Sequence, residues 1–376
     1  MSDRTERPTA DEPNATTGTT GPVETTSSGA VRIDKSAEAP ADRDTPLLEV
    51  RDLQVEFRTR EGVARAVNGV NYSVNAGETL AVLGESGSGK SVTAQAIMGI
   101  LDTPPGHIAG GEIRFRGEDL LTLSEDKRRA IRGDRIAMIF QDALSSLNPV
   151  LSVGYQLGEM FRVHRGASRR EARERAVDLM ERVRIPAARE RVNDYPHQFS
   201  GGMRQRIMIA MALALEPDLI IADEPTTALD VTVQAQVMEL LAELQREFHM
   251  GLILITHDLG VVADVADRIA VMYAGRIVET APVKELYAAP AHPYTKGLLE
   301  SIPRLDHKGK ELYAIQGLPP SLTALPSGCS FHPRCPLSTE RSTTERPPLH
   351  PVLDASEAPV AGRGSACHYW KETLHG

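Results

Sequence analysis

Gly84-Glu85-Ser86-Gly87-Ser88-Gly89-Lys90-Ser91 is the stretch that decides the fold of this 376-residue chain. It fits the pattern G-x-x-x-x-G-K-[ST], follows the apolar run Thr79–Leu83 and precedes a segment that we predict to be helical. Glycines let the backbone wrap so that amide N–H groups point at phosphate oxygens, and a helix start adds partial positive charge. Lys90 supplies a charge for the β- and γ-phosphates, and the Ser91 hydroxyl suits Mg²⁺. The stretch therefore predicts a phosphate-binding loop.

A second motif, Leu219-Ile220-Ile221-Ala222-Asp223-Glu224, is an apolar strand that ends in two carboxylates. At a strand tip beside the phosphate loop, Asp223 can hold Mg²⁺ through water, and Glu224 can polarise an attacking water. Asp-Glu pairs are common on protein surfaces, so the pair alone is weak evidence for a catalytic role. Its position at the end of a buried strand, after the phosphate loop in the sequence, makes that evidence strong. The two motifs together predict hydrolysis of a nucleotide.

Apolar strands alternate with amphipathic helical segments around these motifs, which indicates an α/β fold with a covered parallel sheet. The block 145–200 reads as a helical insertion in that sheet. The predicted strands are Leu47–Phe57, Thr79–Leu83, Ile113–Phe115, Ile136–Phe140, Leu219–Ala222, Leu252–Ile255 and a hairpin of Ile269–Met272 with Ile277–Glu279. The predicted helices are Ser152–Val183, the run after Gly202, and Val233–Phe248.

Composition excludes several classes of protein. The net charge of −9 argues against a dedicated nucleic-acid binder, which usually carries a basic face. No apolar run approaches the roughly 20 residues that span a bilayer, and the first residues, MSDRTERPTA, lack the apolar region of a secretory signal. Three cysteines in the whole chain exclude a disulfide scaffold and fit a reducing compartment.

Shifts in composition divide the chain into three parts. Residues 1–46 are rich in Thr, Ser, Pro, Ala and acids and nearly lack large apolar residues, so we expect a disordered tail. Residues 47–301 carry both nucleotide motifs. Residues 302–376 are rich in Pro, Gly and Ser and contain all three cysteines, so we expect a separate C-terminal appendage.

Further motifs carry a family resemblance over about residues 47–300. Ser200-Gly201-Gly202-Met203, followed by Arg204-Gln205-Arg206, resembles the signature of ATP-binding cassette (ABC) ATPases. The family fold is a P-loop NTPase cassette: a RecA-like parallel core, an antiparallel β subdomain and a helical subdomain, here followed by a small irregular C-terminal domain. The stretches Phe199–Arg206, His292-Pro293-Tyr294-Thr295 and Cys329–Cys335 resemble more narrowly the ATPase subunits of bacterial dipeptide/oligopeptide importers.

The resemblance implies ATP and Mg²⁺ as cofactors. It makes Glu224 the catalytic base, Gln141 a contact of Mg²⁺ or the lytic water, and His257 a contact of the γ-phosphate. Mg²⁺ would be held by Ser91, Gln141 and Asp223. The implied nucleotide contacts in the loop are Gly84, Glu85, Ser86, Gly87, Ser88, Gly89, Lys90, Ser91 and Val92.

Other implied roles lie outside the loop. Ser200, Gly201 and Gly202 would bind a γ-phosphate that another subunit holds, and Asp230 would lie at the dimer seam. Phe57 is the best candidate to stack on adenine, and a plain core position in its strand is nearly as good an interpretation. Met203 stands where the common signature has Gln, which resembles one of the two ATPases of peptide importers.

The resemblance also implies partners and a location. These are a second ABC ATPase subunit in a heterodimer, two membrane permease subunits, an extracytoplasmic solute-binding protein and no nucleic acid, at the cytoplasmic face of the membrane. The block 145–200 would receive a coupling helix of the permease. The alternatives are a soluble ABC ATPase acting on DNA or ribosomes, a non-catalytic regulatory cassette, and an importer of nickel or another small solute.

The three cysteines leave three interpretations open. Cys329, Cys335 and Cys367 resemble a pattern that holds an iron–sulfur cluster, but Ser342 stands where the fourth cysteine would be. A [4Fe–4S] cluster takes four thiolates, and serine is a poor substitute. The other interpretations are three reduced structural thiols, or a zinc site completed by His332 or His368.

Overall fold

The computed structural model describes residues 23–25, 31–33, 45–142, 146–227, 229–302, 314–354 and 356–375. Most of the tail predicted to be disordered lies outside the described residues. Within it the structure has an antiparallel pair of strands, β1 (Val23–Thr25) and β2 (Val31–Ile33), which the composition did not predict.

The other elements follow in chain order. The strands are β3 (Leu48–Thr59), β4 (Gly62–Val74), β5 (Thr79–Leu83), β6 (Gly106–Phe115), β7 (Glu118–Asp119), β8 (Ile136–Ile139), β9 (Leu219–Asp223), β10 (Gly251–Ile255), β11 (Arg268–Tyr273), β12 (Arg276–Pro282), β13 (His350–Leu353) and β14 (Pro359–Ser365). The helices are α1 (Lys90–Met98), α2 (Glu125–Ile131), α3 (Val153–Arg165), α4 (Arg169–Arg182), α5 (Ala188–Arg191), α6 (Gly201–Leu213), α7 (Val231–Phe248), α8 (Leu259–Val265), α9 (Val283–Ala288), α10 (Pro293–Glu300), α11 (Glu340–Thr344) and α12 (Trp370–His375).

The central sheet has the strand order β13-β14-β12-β11-β5-β10-β9-β8. Strands β11, β5, β10, β9 and β8 run parallel, and β12, β14 and β13 extend the sheet with antiparallel pairs. Every residue of β5, β9 and β10 is buried, which is why these strands read as unbroken apolar runs. The predicted covered parallel sheet and the β11–β12 hairpin are confirmed.

A second sheet, β4-β3-β6-β7, is antiparallel. The sequence predicted β3 and the end of β6 but missed β4. The pairing of β3 with β4 contains three register shifts, so the alternation of buried and exposed residues that reveals a strand is interrupted. The antiparallel β subdomain implied by the family resemblance is thus present.

The helical insertion lies between β8 and β9, as predicted. The helical pattern predicted from Ser152 to Val183 corresponds to two helices, α3 and α4. Gly166 ends α3 in the left-handed region at φ 65°, and the Ser168 hydroxyl caps α4 by accepting from the Glu171 N–H. A glycine and a serine two positions apart are ordinary stop and start signals, so the break was readable from the sequence.

The C-terminal segment is joined to the cassette sheet. Strand β14 pairs with β12 through Glu279 and Thr280, and Phe331 is buried in the core of the central sheet. The expectation of a separate appendage is therefore corrected for the described residues 314–375, which pack on the preceding domain. Nowhere in the described part of the chain does a helix have the length and apolar character to cross a membrane.

Candidate active site

Two glycines of the phosphate loop have a positive φ and leave no room for a side chain. Gly84 has φ 153°, and a Cβ there would lie 2.3 Å from the carbonyl oxygen of Met272. Gly89 has φ 104°, and its Cβ would lie 2.3 Å from the carbonyl oxygen of Ala66. Helix α1 begins directly after Gly89, so the amides of its first turn face the loop. This strand–loop–helix arrangement is the one that the sequence predicted.

The side chain of Lys90 reaches back across the loop to its first two residues. Its ammonium donates to the carbonyl oxygens of Gly84 at 2.8 Å and Glu85 at 3.0 Å, and the residue is 6% exposed. Burial lowers the pKa of Lys90, and the carboxylates of Glu224, Asp223 and Glu85 oppose that shift. The positive charge of Lys90 therefore lies among three acidic groups, at the point where phosphates would enter.

Ser91 and Asp223 bring the two nucleotide motifs into contact. The Ser91 hydroxyl donates to Asp223 Oδ1 at 3.0 Å. Burial raises the pKa of Asp223, and the hydrogen bond from Ser91 works in the opposite direction. A hydroxyl and a carboxylate side by side form the hard oxygen donor set that Mg²⁺ prefers, so these residues fit the implied metal.

Two predicted residues converge on the carboxylate of a third, Glu224. Gln141 Nε2 donates to Glu224 Oε2 at 3.0 Å, and His257 Nδ1 lies 3.3 Å from Glu224 Oε1. These residues follow β8, β9 and β10, three neighbouring parallel strands, so the fold places them at one edge of the sheet. Glu224 itself has φ 47°, and its N–H donates to the carbonyl of Ile255 at 2.8 Å. A non-glycine residue is strained in the left-handed region, and such strain is often stored at functional sites.

The signature residues form a second group, at the starts of α6 and α7. The Ser200 hydroxyl caps α6, and Asp230 caps α7 by accepting from the Val233 N–H at 3.0 Å. A Cβ on Gly202 would lie 2.5 Å from Val233 Cγ1, so only glycine fits between the two helix starts. Within the described ranges no hydrogen bond or ion pair joins this group to the phosphate loop of the same chain.

Two further predicted residues take ordinary structural positions. Phe57 lies on β3 opposite Gly106, half-buried against the core beneath the antiparallel sheet. Val92, in the first turn of α1, packs against the same core. Stacking of Phe57 on adenine stays a prediction.

Comparisons with known proteins agree with this geometry. The family profile described as ABC transporter matches residues 67–227, and that of the oligopeptide/dipeptide transporter C-terminal region matches residues 278–341. The oligopeptide transport ATP-binding protein OppD of Bacillus subtilis (strain 168) is 54% identical over 313 residues, 83% of this chain and 87% of that protein. The chain belongs to the ABC transporter family.

Other members of the family give the same result. OppD of Salmonella typhimurium is 53% identical over 321 residues, 85% of this chain and 93% of that protein. Among solved structures, the dimeric post-hydrolysis state of the ATP-binding cassette MJ0796 bound to ADP and Pi has a TM-score of 0.56 at 30% identity, covering 63% of this chain and 98% of that one. The cassette fold and the ATPase activity predicted from the sequence are thereby confirmed.

The three cysteines of this ABC ATPase lie together. Cys329, Cys335 and Cys367 line one small pocket that also includes Ser342. Burial raises the pKa of each thiol, that of Cys367 to about 12. Metal ions and clusters bind the thiolate, which burial disfavours. The Ser342 hydroxyl accepts from the Thr339 N–H at 3.4 Å.

One ring nitrogen of each histidine proposed to complete a zinc site lies against a backbone carbonyl. A ring nitrogen of His332 lies 2.9 Å from the Cys329 carbonyl, and one of His368 lies 3.1 Å from the Glu345 carbonyl. In the portion that the structure describes, no three His, Cys, Asp or Glu residues are arranged to hold a metal ion. Neither the iron–sulfur cluster nor the zinc site therefore has support in the described residues.

Three residues of the site were missed. Thr227 donates its hydroxyl to Glu224 Oε2 at 2.9 Å, and it follows the second nucleotide motif closely enough that a search of the neighbouring hydroxyls could have found it. Tyr294 and Arg334 contact Glu85 from more than 200 positions away. Their stretches were noted only as a family resemblance, because nothing in the local sequence says what they touch.

Proposed function

We propose that this ATPase powers the import of dipeptides and oligopeptides through a separate membrane permease. The observation that carries the proposal is the match to the oligopeptide/dipeptide transporter C-terminal region over residues 278–341, because the cassette alone does not specify a cargo. Sequence identity above 50% to proteins named for oligopeptide transport, over more than four-fifths of the chain, supports it.

For the chemical step, Glu224 accepts the proton of the water that attacks the γ-phosphate. Gln141, Thr227 and His257 surround this carboxylate and fix its orientation. Lys90 and the loop amides stabilise the negative charge that develops on the phosphoryl oxygens. Ser91, Asp223 and Gln141 would hold Mg²⁺, which when bound neutralises charge on the β- and γ-phosphates.

The signature acts on a different nucleotide. Ser200, Gly201 and Gly202 lie at the start of α6, where free amides and helix polarity favour an anion. We infer that they contact the γ-phosphate bound to a second cassette, with Asp230 at the seam of a head-to-tail heterodimer. Binding of ATP then closes the dimer, and hydrolysis opens it.

The partners follow from this arrangement. We infer two permease subunits, an extracytoplasmic solute-binding protein and a peripheral location at the cytoplasmic face, with the block 145–200 receiving the permease. Purification of the tagged chain from membranes tests this. Two permease chains and a second cassette in the eluate are expected, whereas comigration with DNA or ribosomes would favour a soluble ABC ATPase.

We propose that the three cysteines are reduced structural thiols. Their burial, their raised pKa values and the engaged Ser342 hydroxyl support this. Anaerobic purification followed by iron, zinc and sulfide assays tests it. Metal near zero is expected, and iron with sulfide in stoichiometric amounts would contradict it.

A further inference from the structure

Two residues that follow β12, Tyr294 on α10 and Arg334 in the C-terminal segment, contact Glu85, the second residue of the phosphate loop. Tyr294 accepts the backbone N–H of Glu85 through its hydroxyl at 2.8 Å. Arg334 holds the Glu85 side chain through two hydrogen bonds, Nη1 to Oε2 at 2.7 Å and Nη2 to Oε1 at 3.0 Å. Glu85 is thus fixed by both its backbone and its carboxylate.

The guanidinium of Arg334 has a partner at every nitrogen. Besides the two bonds to Glu85, Nε donates to the Gln316 carbonyl at 3.1 Å, Nη2 to the Ile315 carbonyl at 3.3 Å and Nη1 to the Tyr273 hydroxyl at 3.4 Å. The Arg334 side chain is 4% exposed and that of Glu85 is 29% exposed, so water and salt reach this ion pair only from the Glu85 side. Such a two-pronged pair fixes position as well as charge.

Packing explains why the segment can hold the loop firmly. Tyr273, Tyr294 and Phe331 form an aromatic cluster whose ring centroids lie 4.6 to 5.4 Å apart. The backbone just before Tyr294 is also held in place, because the N–H groups of Ala291 and His292 donate to the buried carboxylate of Glu279. The contacts to Glu85 therefore start from a rigid part of the core.

The charge on Glu85 gives Arg334 a task in nucleotide binding. The Glu85 carboxylate is near enough to Lys90 to act on its charge. A carboxylate without a counterion at this loop would repel the polyphosphate that Lys90 attracts. Arg334 cancels that repulsion and also orients the loop backbone through Glu85.

We propose that Arg334 is a positioning residue for ATP binding and hydrolysis, which acts on the phosphate loop through Glu85. The Cys329–Cys335 stretch then has a function: it carries an arginine from the C-terminal segment to the loop. This inference rests on the ATPase activity alone and is independent of the transported cargo.

A double-mutant cycle on the full chain tests the proposal, with the affinity for ATP and ADP measured by a fluorescent analogue. Arg334→Gln should raise the ATP dissociation constant by about tenfold, equivalent to about 1.4 kcal/mol, and that of ADP by less. Adding Glu85→Gln should restore ATP binding to within about twofold of the single Glu85→Gln variant. Arg341→Gln, which breaks an exposed pair with Glu345 in the same segment, is the matched control.

Two results would overturn the proposal: wild-type ATP affinity in Arg334→Gln, or the same loss whether or not Glu85 is charged. The second result would mean that Arg334 only stabilises the fold. Should Arg334→Gln fail to fold, Arg334→Lys decides, because lysine keeps the positive charge but cannot make the paired hydrogen bonds to both oxygens of Glu85. The ATP dissociation constant should then rise by about threefold, with that of ADP less affected, and wild-type ATP affinity would contradict the proposal.

Discussion

The Ser91 hydroxyl donates a hydrogen bond of 3.0 Å to Asp223 Oδ1, across 132 positions of the chain. This contact places the phosphate loop beside the acidic end of β9. Glu224, the next residue, is thereby directed toward the space above the loop, where Gln141 and His257 meet its carboxylate. The residues predicted to bind the nucleotide and those predicted to hydrolyse it therefore meet at the carboxyl ends of neighbouring strands of one sheet.

Removal of the base should separate binding from turnover. Glu224→Gln keeps the size of the side chain but cannot accept a proton, so we expect turnover to fall by about 10²- to 10⁴-fold. ATP should remain bound, and the closed dimer should accumulate. Single-turnover hydrolysis and size-exclusion chromatography measure the two effects. Glu239→Gln on the exposed face of α7 is the control, and near-normal hydrolysis in Glu224→Gln would refute the assigned base.

Loss of the loop cation should act on binding first. Lys90→Ala removes the charge that spans the loop, so ATP affinity should fall by about 10- to 100-fold. Equilibrium binding of a fluorescent ATP analogue measures it, with the exposed Lys127→Ala as control. Wild-type affinity would count against the role of the loop.

Thr227 should tune the rate without changing affinity. Thr227→Val keeps the shape and deletes the hydroxyl that holds Glu224 Oε2. We expect kcat to fall by about 5- to 10-fold, with KM for ATP almost unchanged, because a hydrogen bond to a charged group is lost. Steady-state kinetics measure the split. The control is Thr59→Val, in the β3–β4 turn. A rise in KM with constant kcat would show that Thr227 acts elsewhere.

Two buried groups should shape the dependence of stability on pH. Burial raises the pKa of Glu279 to about 7. Its contribution to the free energy of unfolding is therefore complete below the ordinary pKa near 4.5 and is lost as pH rises through 7. Burial lowers the pKa of His292 to about 3. Its contribution to the free energy of unfolding is therefore complete above pH 6.5 or so and is lost as pH falls toward 3. Between about 4.5 and 6.5 the two effects oppose each other.

Glu279→Gln should therefore reveal the pH dependence of stability that comes from His292. The free energy of unfolding of the variant should rise from pH 4.5 to 6.5, by up to about 1.4 kcal/mol per pH unit, while that of the wild type stays nearly flat. Denaturant unfolding across this range gives both profiles. Parallel profiles for the two proteins would contradict the assigned pKa of Glu279.

Local sequence was sufficient to predict the two motifs of the candidate nucleotide site. It was insufficient to predict the distant residues that hold those motifs in place. The loop and the β9 carboxylates carry their chemistry in consecutive residues, and apolar runs placed both on strands. Strand β4 was missed because register shifts break its pattern. The contacts of Arg334 and Tyr294 with Glu85 depend on how the chain after β12 packs back against the sheet, and no periodicity reports such a long-range contact.

ATP-dependent peptide uptake in a reconstituted complex measures directly whether this ATPase powers peptide import. The chain, its partner cassette and the permeases are reconstituted in proteoliposomes with the solute-binding protein, and a labelled oligopeptide is supplied. We predict uptake that needs ATP hydrolysis and disappears in Glu224→Gln, although that variant still binds ATP. Absence of peptide uptake by the active wild-type complex, or unchanged uptake with Glu224→Gln, would contradict the account.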